Sequence, residues 1–295
     1  MQKPAVIVIS SHVVRGAVGG RASVFALERM GFPVWSVPSV VLAWHAGHGT
    51  GTRFSVPAEQ FSALLADLAR AKWLGEVGAV LSGYFGSAEL TNAVAGLVAA
   101  VKRRNPSALY LCDPIVGDSD GLFRPEAIVA TIRERLLPLA DIMTPNRHEL
   151  GWLAGQGVDD NDAIAAAVRA LGVREAAVTS AYAPAGEIGT LVVTPDATHL
   201  ATHRRLAEVP HGTGDLFAAL YLGHRLDGHQ PVDAAAQAAS SVLRLIGLAA
   251  ETNSDEMPLA AGQGAFLTRT ENVTVVPVAQ AGGGSPRNTP SRNPR

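Results

Sequence analysis

Short apolar, β-branched runs alternate along the chain with longer stretches in which apolar positions recur every three or four residues. The runs at 5–10 (AVIVIS), 34–38, 78–83, 108–113, 141–145 and 175–180 read as buried strands. The stretches 19–31, 57–73, 87–105, 125–137 and 162–171 read as helices. In 57–73, Phe61, Leu64, Leu65 and Leu68 share one face. Two runs, 189–195 and 199–209, predict antiparallel strands at an edge, and two helices follow at 214–226 and 232–251. Strands that are apolar on both faces and alternate with helices predict the α/β class: a three-layer α/β/α sandwich with a mostly parallel central sheet. The Gly-, Pro-, Ser- and Asn-rich tail 281–295 is expected to be disordered, which leaves 1–280 as a single domain.

Composition narrows the function classes. The chain has 295 residues, 47% of them hydrophobic, enough to bury a sizeable core. With 24 basic against 26 acidic residues the net charge is −2, so no field draws it to nucleic acid or an anionic membrane. No uninterrupted apolar run reaches the roughly 20 residues that span a bilayer. The opening MQKPAVIVISSHVV reads as a first strand and not as a secretion signal. The single cysteine, Cys112, rules out an internal disulfide, sits in an apolar strand as an inert thiol, and fits a cytoplasmic protein.

In parallel sheets ligands bind beyond the carboxyl ends of the strands. That rule selects residues 10–12, 82–84, 113–118, 144–146 and 179–180. The segment VPHGTGDLFAALYLGHRL (209–226) adds a glycine-flanked turn, Gly212-Thr213-Gly214, just before an apolar helix. Bare glycines leave the first amides of a helix open, and those amides attract an anion. Asp215 in this place caps a helix well, but it repels a phosphate held by the same amides. It makes chemical sense if it accepts a proton from a hydroxyl attacking that phosphate. CDPIVGD (112–118) supplies Asp113 and Asp118, and TPNRHE (144–149) supplies Thr144, Asn146 and Glu149, the last two on one helical face. Each carboxylate alone reads as a cap or a solvated charge. Together at one sheet edge they suit Mg²⁺ carrying substrate phosphates. The only lysines are Lys3, Lys72 and Lys102, none in a G-x-x-x-x-G-K-[ST] loop, which excludes a P-loop enzyme. RGAVGG (15–20) lacks the dinucleotide spacing. The nine histidines form no zinc motif, so His12, His45 and His211 read as polar lining or satisfied loop residues.

Together these segments resemble the ribokinase-like superfamily and, within it, the pyridoxal kinases. ISSHVVRGAVGGRA (9–22), LSGYFGSAE (81–89), CDPIVGD, LADIMTPNRHE (139–149), VTSA (178–181) and GTGDLFAA (212–219) stand in that family's order across roughly Val6 to Leu248. The resemblance implies ATP-dependent phosphorylation of the 5′-hydroxymethyl group of pyridoxal, with pyridoxine and pyridoxamine as further acceptors. It implies Asp215 as base and the amides of Gly212, Thr213, Gly214 and Asp215 as the cradle for the moving phosphoryl group. Asp113, Asp118 and Glu149 are implied around ATP and Mg²⁺, and Asn146, Thr179 and Ser180 on nucleotide phosphates. Thr144 is implied at a monovalent cation such as K⁺, and Val209 beside the nucleotide base or ribose. Ser11, Tyr84, His45 and Ala46 fall on the substrate side, and a homodimer is implied. Three positions depart from the family: Ser10 replaces Gln, Gly20 replaces Asn, and Ala46 replaces a Thr that would reach the substrate. A hydroxymethylpyrimidine kinase, disfavoured by the lone cysteine, and a non-catalytic vitamin or nucleotide carrier, disfavoured by intact Asp215, are the rival readings.

Overall fold

A computed structural model describes residues 2–278; the tail 281–295 and the expectation attached to it lie outside the described residues. In chain order the strands are β1 (Ala5–Val13), β2 (Val34–Leu42), β3 (Arg53–Ser55), β4 (Val77–Ser82), β5 (Leu109–Cys112), β6 (Gly117–Asp118), β7 (Gly121–Leu122), β8 (Ile142–Met143), β9 (Glu175–Ala181), β10 (Glu187–Val193), β11 (Thr198–Arg204) and β12 (Thr274–Pro277). The helices are α1 (Gly20–Arg29), α2 (Ala58–Ala69), α3 (Glu89–Arg104), α4 (Glu126–Thr131), α5 (Arg147–Ala154), α6 (Asn161–Leu171), α7 (Thr213–Leu226), α8 (Pro231–Thr252) and α9 (Leu259–Gly262).

Ten strands form one sheet in the order β12-β11-β10-β9-β8-β5-β4-β1-β2-β3, and β6 and β7 form a separate hairpin. The pairings from β2 through β1, β4, β5 and β8 to β9 are parallel. β10, β11, β12 and β3 add antiparallel edges. Alternation along a buried strand feeds two cores. In β1, Ala5, Ile7 and Ile9 face the layer containing Phe61 of α2, Leu97 of α3 and Ile164 of α6. Val6 and Val8 face the other layer, with Leu27 of α1, Leu220 of α7 and Leu245 of α8. The predicted three-layer arrangement is therefore the observed one.

One buried polar network fixes the helix that carries the glycine turn. Glu175 at the start of β9 accepts from Tyr221 Oη at 2.7 Å and from Arg225 Nε at 2.8 Å, both on α7. Removing one partner of such a pair leaves a buried charge uncompensated, so the network holds α7 in one place on the sheet.

Several elements differ from their sequence pattern. β1 runs on to Val13, and its pairing with β2 slips between Ser10 and Ser11. The strand expected at 141–145 contracts to Ile142–Met143, because Asn146 begins a helix and only bridges to Thr179. The helix expected at 125–137 breaks after Thr131 into a wider turn at Ile132–Leu136 and a tight one at Leu137–Leu139. Pro138 has no amide hydrogen to continue it. The strand expected at 199–209 stops at Arg204. α8 is long and apolar enough to cross a bilayer, contrary to the reading that no segment qualifies, but two-thirds of its most apolar stretch is buried inside the domain.

Candidate active site

The glycine turn is built as the sequence suggests, with one change of role. Gly212, not Asp215, is the residue that caps α7. It adopts φ 92°, in the left-handed region, and a Cβ there would lie 2.3 Å from the Ala17 carbonyl oxygen. No side chain caps this helix, so its first amides stay open towards the cavity. Asp215 is the third residue of α7. Burial raises its carboxyl pKa to about 6, against the opposing pull of the Gly19 amide. Gly19 is equally constrained: its φ is 58°, and a Cβ would lie 2.2 Å from Ser11 Oγ. The first glycine turn, at 16–20, therefore packs directly on both Ser11 and the second turn at Gly212.

Asn146 and Glu149 form a reciprocal cap on α5. Asn146 Oδ1 accepts from the amides of His148 (2.9 Å) and Glu149 (3.0 Å), and the Asn146 amide donates to Glu149 Oε2 (2.9 Å). Glu149 Oε1 accepts from the Val116 amide at 2.8 Å, and Asn146 Nδ2 donates to the Gly117 carbonyl at 2.9 Å. Both carboxylate oxygens of Glu149 are thus engaged by backbone, and the residue ties the 113–118 loop to α5. Burial still pushes its pKa up to about 7, with Asp215 adding to the rise. Asp113 is buried too, and burial, Glu149 and Asp215 all raise its pKa. Among the described residues neither acid pairs with a basic side chain. Thr144 Oγ1 is buried without a hydrogen-bond partner, yet near enough to Asp113 to pull its pKa back down. Asp118 stands apart: it is exposed on the hairpin and accepts from the Asp120 amide at 2.9 Å. Among the described residues no three acidic, histidine or cysteine side chains converge as a finished metal centre. Two buried acids without a cation and an orphaned hydroxyl nonetheless fit a cation that arrives with phosphate ligands of its own.

A cavity of about 560 Å³ joins Ser11, His45, Ala46, Tyr84, Asp113, Asp118, Thr144, Asn146, Glu149, Thr179, Gly212, Gly214 and Asp215. A smaller, more apolar pocket of about 180 Å³ shares Thr179 and Gly214 with it and adds Ser180, Val209, Thr213 and Phe217. The sequence-derived residues therefore fall into two adjoining spaces. Ile115 and Ser180 adopt φ 44° and 55°, two of only three non-glycine residues at positive φ among those described. Strained backbone of this kind persists where the surroundings enforce it. Cys112 is buried, and burial takes its thiol up to about 12, in keeping with an inert role.

The structure adds residues that the sequence does not single out. Arg53, Phe123 and Arg124 line the larger cavity, as does His211, read from sequence only as a generic loop histidine. Arg124 donates to the Tyr84 hydroxyl and to the Phe85 carbonyl. Glu256, in the segment after α8, accepts from the Ala17 amide at 3.0 Å and contacts His48 Nε2 at 2.9 Å. For Arg124 and Glu256 nothing local in the sequence marks the position, because their partners lie at least 39 residues away.

A parallel sheet with buried acids at its strand ends, facing open amides at a glycine-led helix start, defines a phosphotransferase of the ribokinase-like fold. The family model described as Phosphomethylpyrimidine kinase matches residues 54–260. The chain belongs to this family, in its pyridoxal kinase branch. It is 37% identical to the pyridoxal kinase PdxY of Granulibacter bethesdensis over 274 residues, covering 89% of this chain and 96% of that one. It is also 37% identical to the Rubrobacter xylanophilus pyridoxal kinase PdxY over 266 residues, covering 88% and 92%. The solved pyridoxal kinase of Leishmania donovani, in complex with ADP and pyridoxamine, superposes with a TM-score of 0.87 at 25% identity, covering 94% of this chain and 100% of that one.

Proposed function

We propose that this chain transfers the terminal phosphoryl group of ATP to the 5′-hydroxymethyl group of pyridoxal, giving pyridoxal 5′-phosphate and ADP in vitamin B6 salvage. The observation that carries this reading is Asp215 beside the open amides of α7, in one cavity with Ser11 and Tyr84, next to a second pocket entered past Thr179 and Gly214. The larger space accommodates the vitamin ring, and the smaller apolar one the nucleotide beside Val209.

In this reading the alcohol oxygen attacks the terminal phosphorus, its proton passes to Asp215, and the bond to the ADP oxygen breaks. A carboxyl with a pKa near 6 is ionised at neutral pH and still basic enough to take that proton. The amides of Gly212–Asp215 face the negative charge that spreads over the phosphoryl oxygens. Ser11 hydrogen-bonds the ring, Tyr84 packs on it, and His45 and Ala46 border it. Asn146, Thr179 and Ser180 hold nucleotide phosphates. Asp113 would hold Mg²⁺, with Asp118 and Glu149 acting through water, and Thr144 would offer its free oxygen to K⁺. Bound there, the cations neutralise the phosphate charge that the acids alone repel. The reading includes a homodimer, which light scattering tests, and cytoplasmic residence, which the single cysteine supports.

The test is ATP consumption by the full chain with pyridoxal, pyridoxine, pyridoxamine, hydroxymethylpyrimidine and ribose, with and without Mg²⁺ and K⁺. Preference for the pyridines is the expected result. Preference for the pyrimidine, which the family model's description keeps in view, would move the chain to the neighbouring activity.

A further inference from the structure

Facing the same cavity are two cations that phosphoryl transfer does not use. Arg124, just past β7, places its guanidinium carbon 4.1 Å from the centre of the Tyr84 ring while donating to the Tyr84 hydroxyl and the Phe85 carbonyl. Arg53, on the edge strand β3, lines the same cavity. Neither forms an ion pair among the described residues. Burial lowers the Arg124 pKa, and Arg53 lowers it further, so the two positive charges feel one another. Like charges gathered without an ion-pair partner are relieved when a ligand brings an anion. The same cavity holds Asp113, Glu149 and Asp215, so it carries a cationic group and an acidic group of its own. Such a space orders a dipolar ligand.

Resting on the pyridoxal reading, the ring provides that dipole. At neutral pH a 3-hydroxypyridine carries a negative phenolate oxygen and a positive ring nitrogen. Ala46, on the same wall, has no side-chain donor for that oxygen. Once the 5′-hydroxymethyl group is turned to Asp215, the 3-oxygen, meta to it on the ring, is directed away from Asp215. We propose that Arg124 and Arg53 recognise the ionised 3-hydroxyl of the substrate and so set the preference for pyridines that carry one. Arg124 has a second effect as a positioning residue, because it fixes the Tyr84 ring against which the substrate packs.

Equilibrium binding to the full-length protein without ATP tests this. The ligands are pyridoxine, which has the 3-oxygen without a reactive aldehyde, and 3-deoxypyridoxine, which lacks that oxygen. A charge-assisted hydrogen bond at a half-open site is expected to be worth about tenfold in Kd. Arg53→Met and Arg124→Met should each weaken pyridoxine about tenfold and 3-deoxypyridoxine less than twofold. Arg124→Lys should recover part of the discrimination. In the wild type, bound pyridoxine should keep its phenolate absorption band to a lower pH than free pyridoxine. Equal losses for both ligands, or no loss from exposed Arg53→Met, overturn the proposal while the pyridoxal reading stands. A wild-type chain that binds neither ligand removes both.

Discussion

The rings of His45 and His211 lie with centroids 4.0 Å apart and planes tilted by 35°, joining the loop after β2 to the residue immediately before the amide cradle. His48 approaches His211 edge-on and reaches Glu256, which holds the Ala17 amide. Three loops that border the cavity are thereby tied together. Burial, with His211 and His48 adding to it, lowers the His45 pKa. His211→Ala removes the stacking partner, and a contact of this kind contributes about 1 kcal/mol. The expected result is a KM for pyridoxal raised about fivefold with an almost unchanged melting temperature. Steady-state kinetics beside a thermal melt check it, and an unchanged KM contradicts it.

Gly212→Ala tests the cradle itself. A side chain there must tolerate φ 92° and a 2.3 Å approach to the Ala17 carbonyl. Strain of about 1–3 kcal/mol is expected. Because the relief route is a shift of the turn that carries the open amides, kcat should fall at least tenfold while the protein still folds. A variant with wild-type kcat would show that the cradle geometry is not critical.

Much of this was legible in the chain. The alternation of strands and helices gives the layers, and the strand-end rule gathers Asp113, Thr144, Asn146 and Thr179 into one cavity. What escaped has a physical cause. β3, β6, β7 and β12 are two to four residues long and carry no periodic pattern. Asp215 looked like a cap because sequence cannot show that Gly212, in a left-handed conformation, already occupies that position. Glu149 looked like a free ligand because its partners, the Val116 and Gly117 amides, come from a loop more than thirty residues earlier. Arg124 was invisible because its meaning depends on Tyr84, forty residues away.

Ala46→Thr examines the substrate loop. Ala46 opens a tight turn, is exposed, and lines the cavity, so a hydroxyl there has room to face the ligand. One neutral hydrogen bond contributes roughly 0.5–1.5 kcal/mol, which lowers KM for pyridoxal about two- to tenfold. The contact is equal in ground and transition states, so kcat should hold. A raised KM, from crowding against Trp44 or His48, would contradict this.

The pH–rate profile follows from Asp215. Its folded pKa is raised to about 6, and only the ionised form accepts a proton. Under conditions where chemistry limits turnover, kcat should be level above about pH 7 and fall roughly tenfold per unit well below pH 6. A profile flat down to pH 5 would place the base elsewhere.

In the proposed reaction Asp215 takes the proton of the attacking hydroxyl, and Asp215→Asn measures this most directly. The amide is nearly isosteric, sits in the same first turn of α7 and leaves the open backbone amides in place, so ATP affinity should persist. Loss of a general base costs on the order of 10²–10⁴ in kcat. Single-turnover phosphorylation of pyridoxal, with ATP binding followed in parallel, should therefore show binding retained and turnover reduced by at least a hundredfold. A variant that keeps more than about half of the wild-type rate for the chemical step would contradict the account.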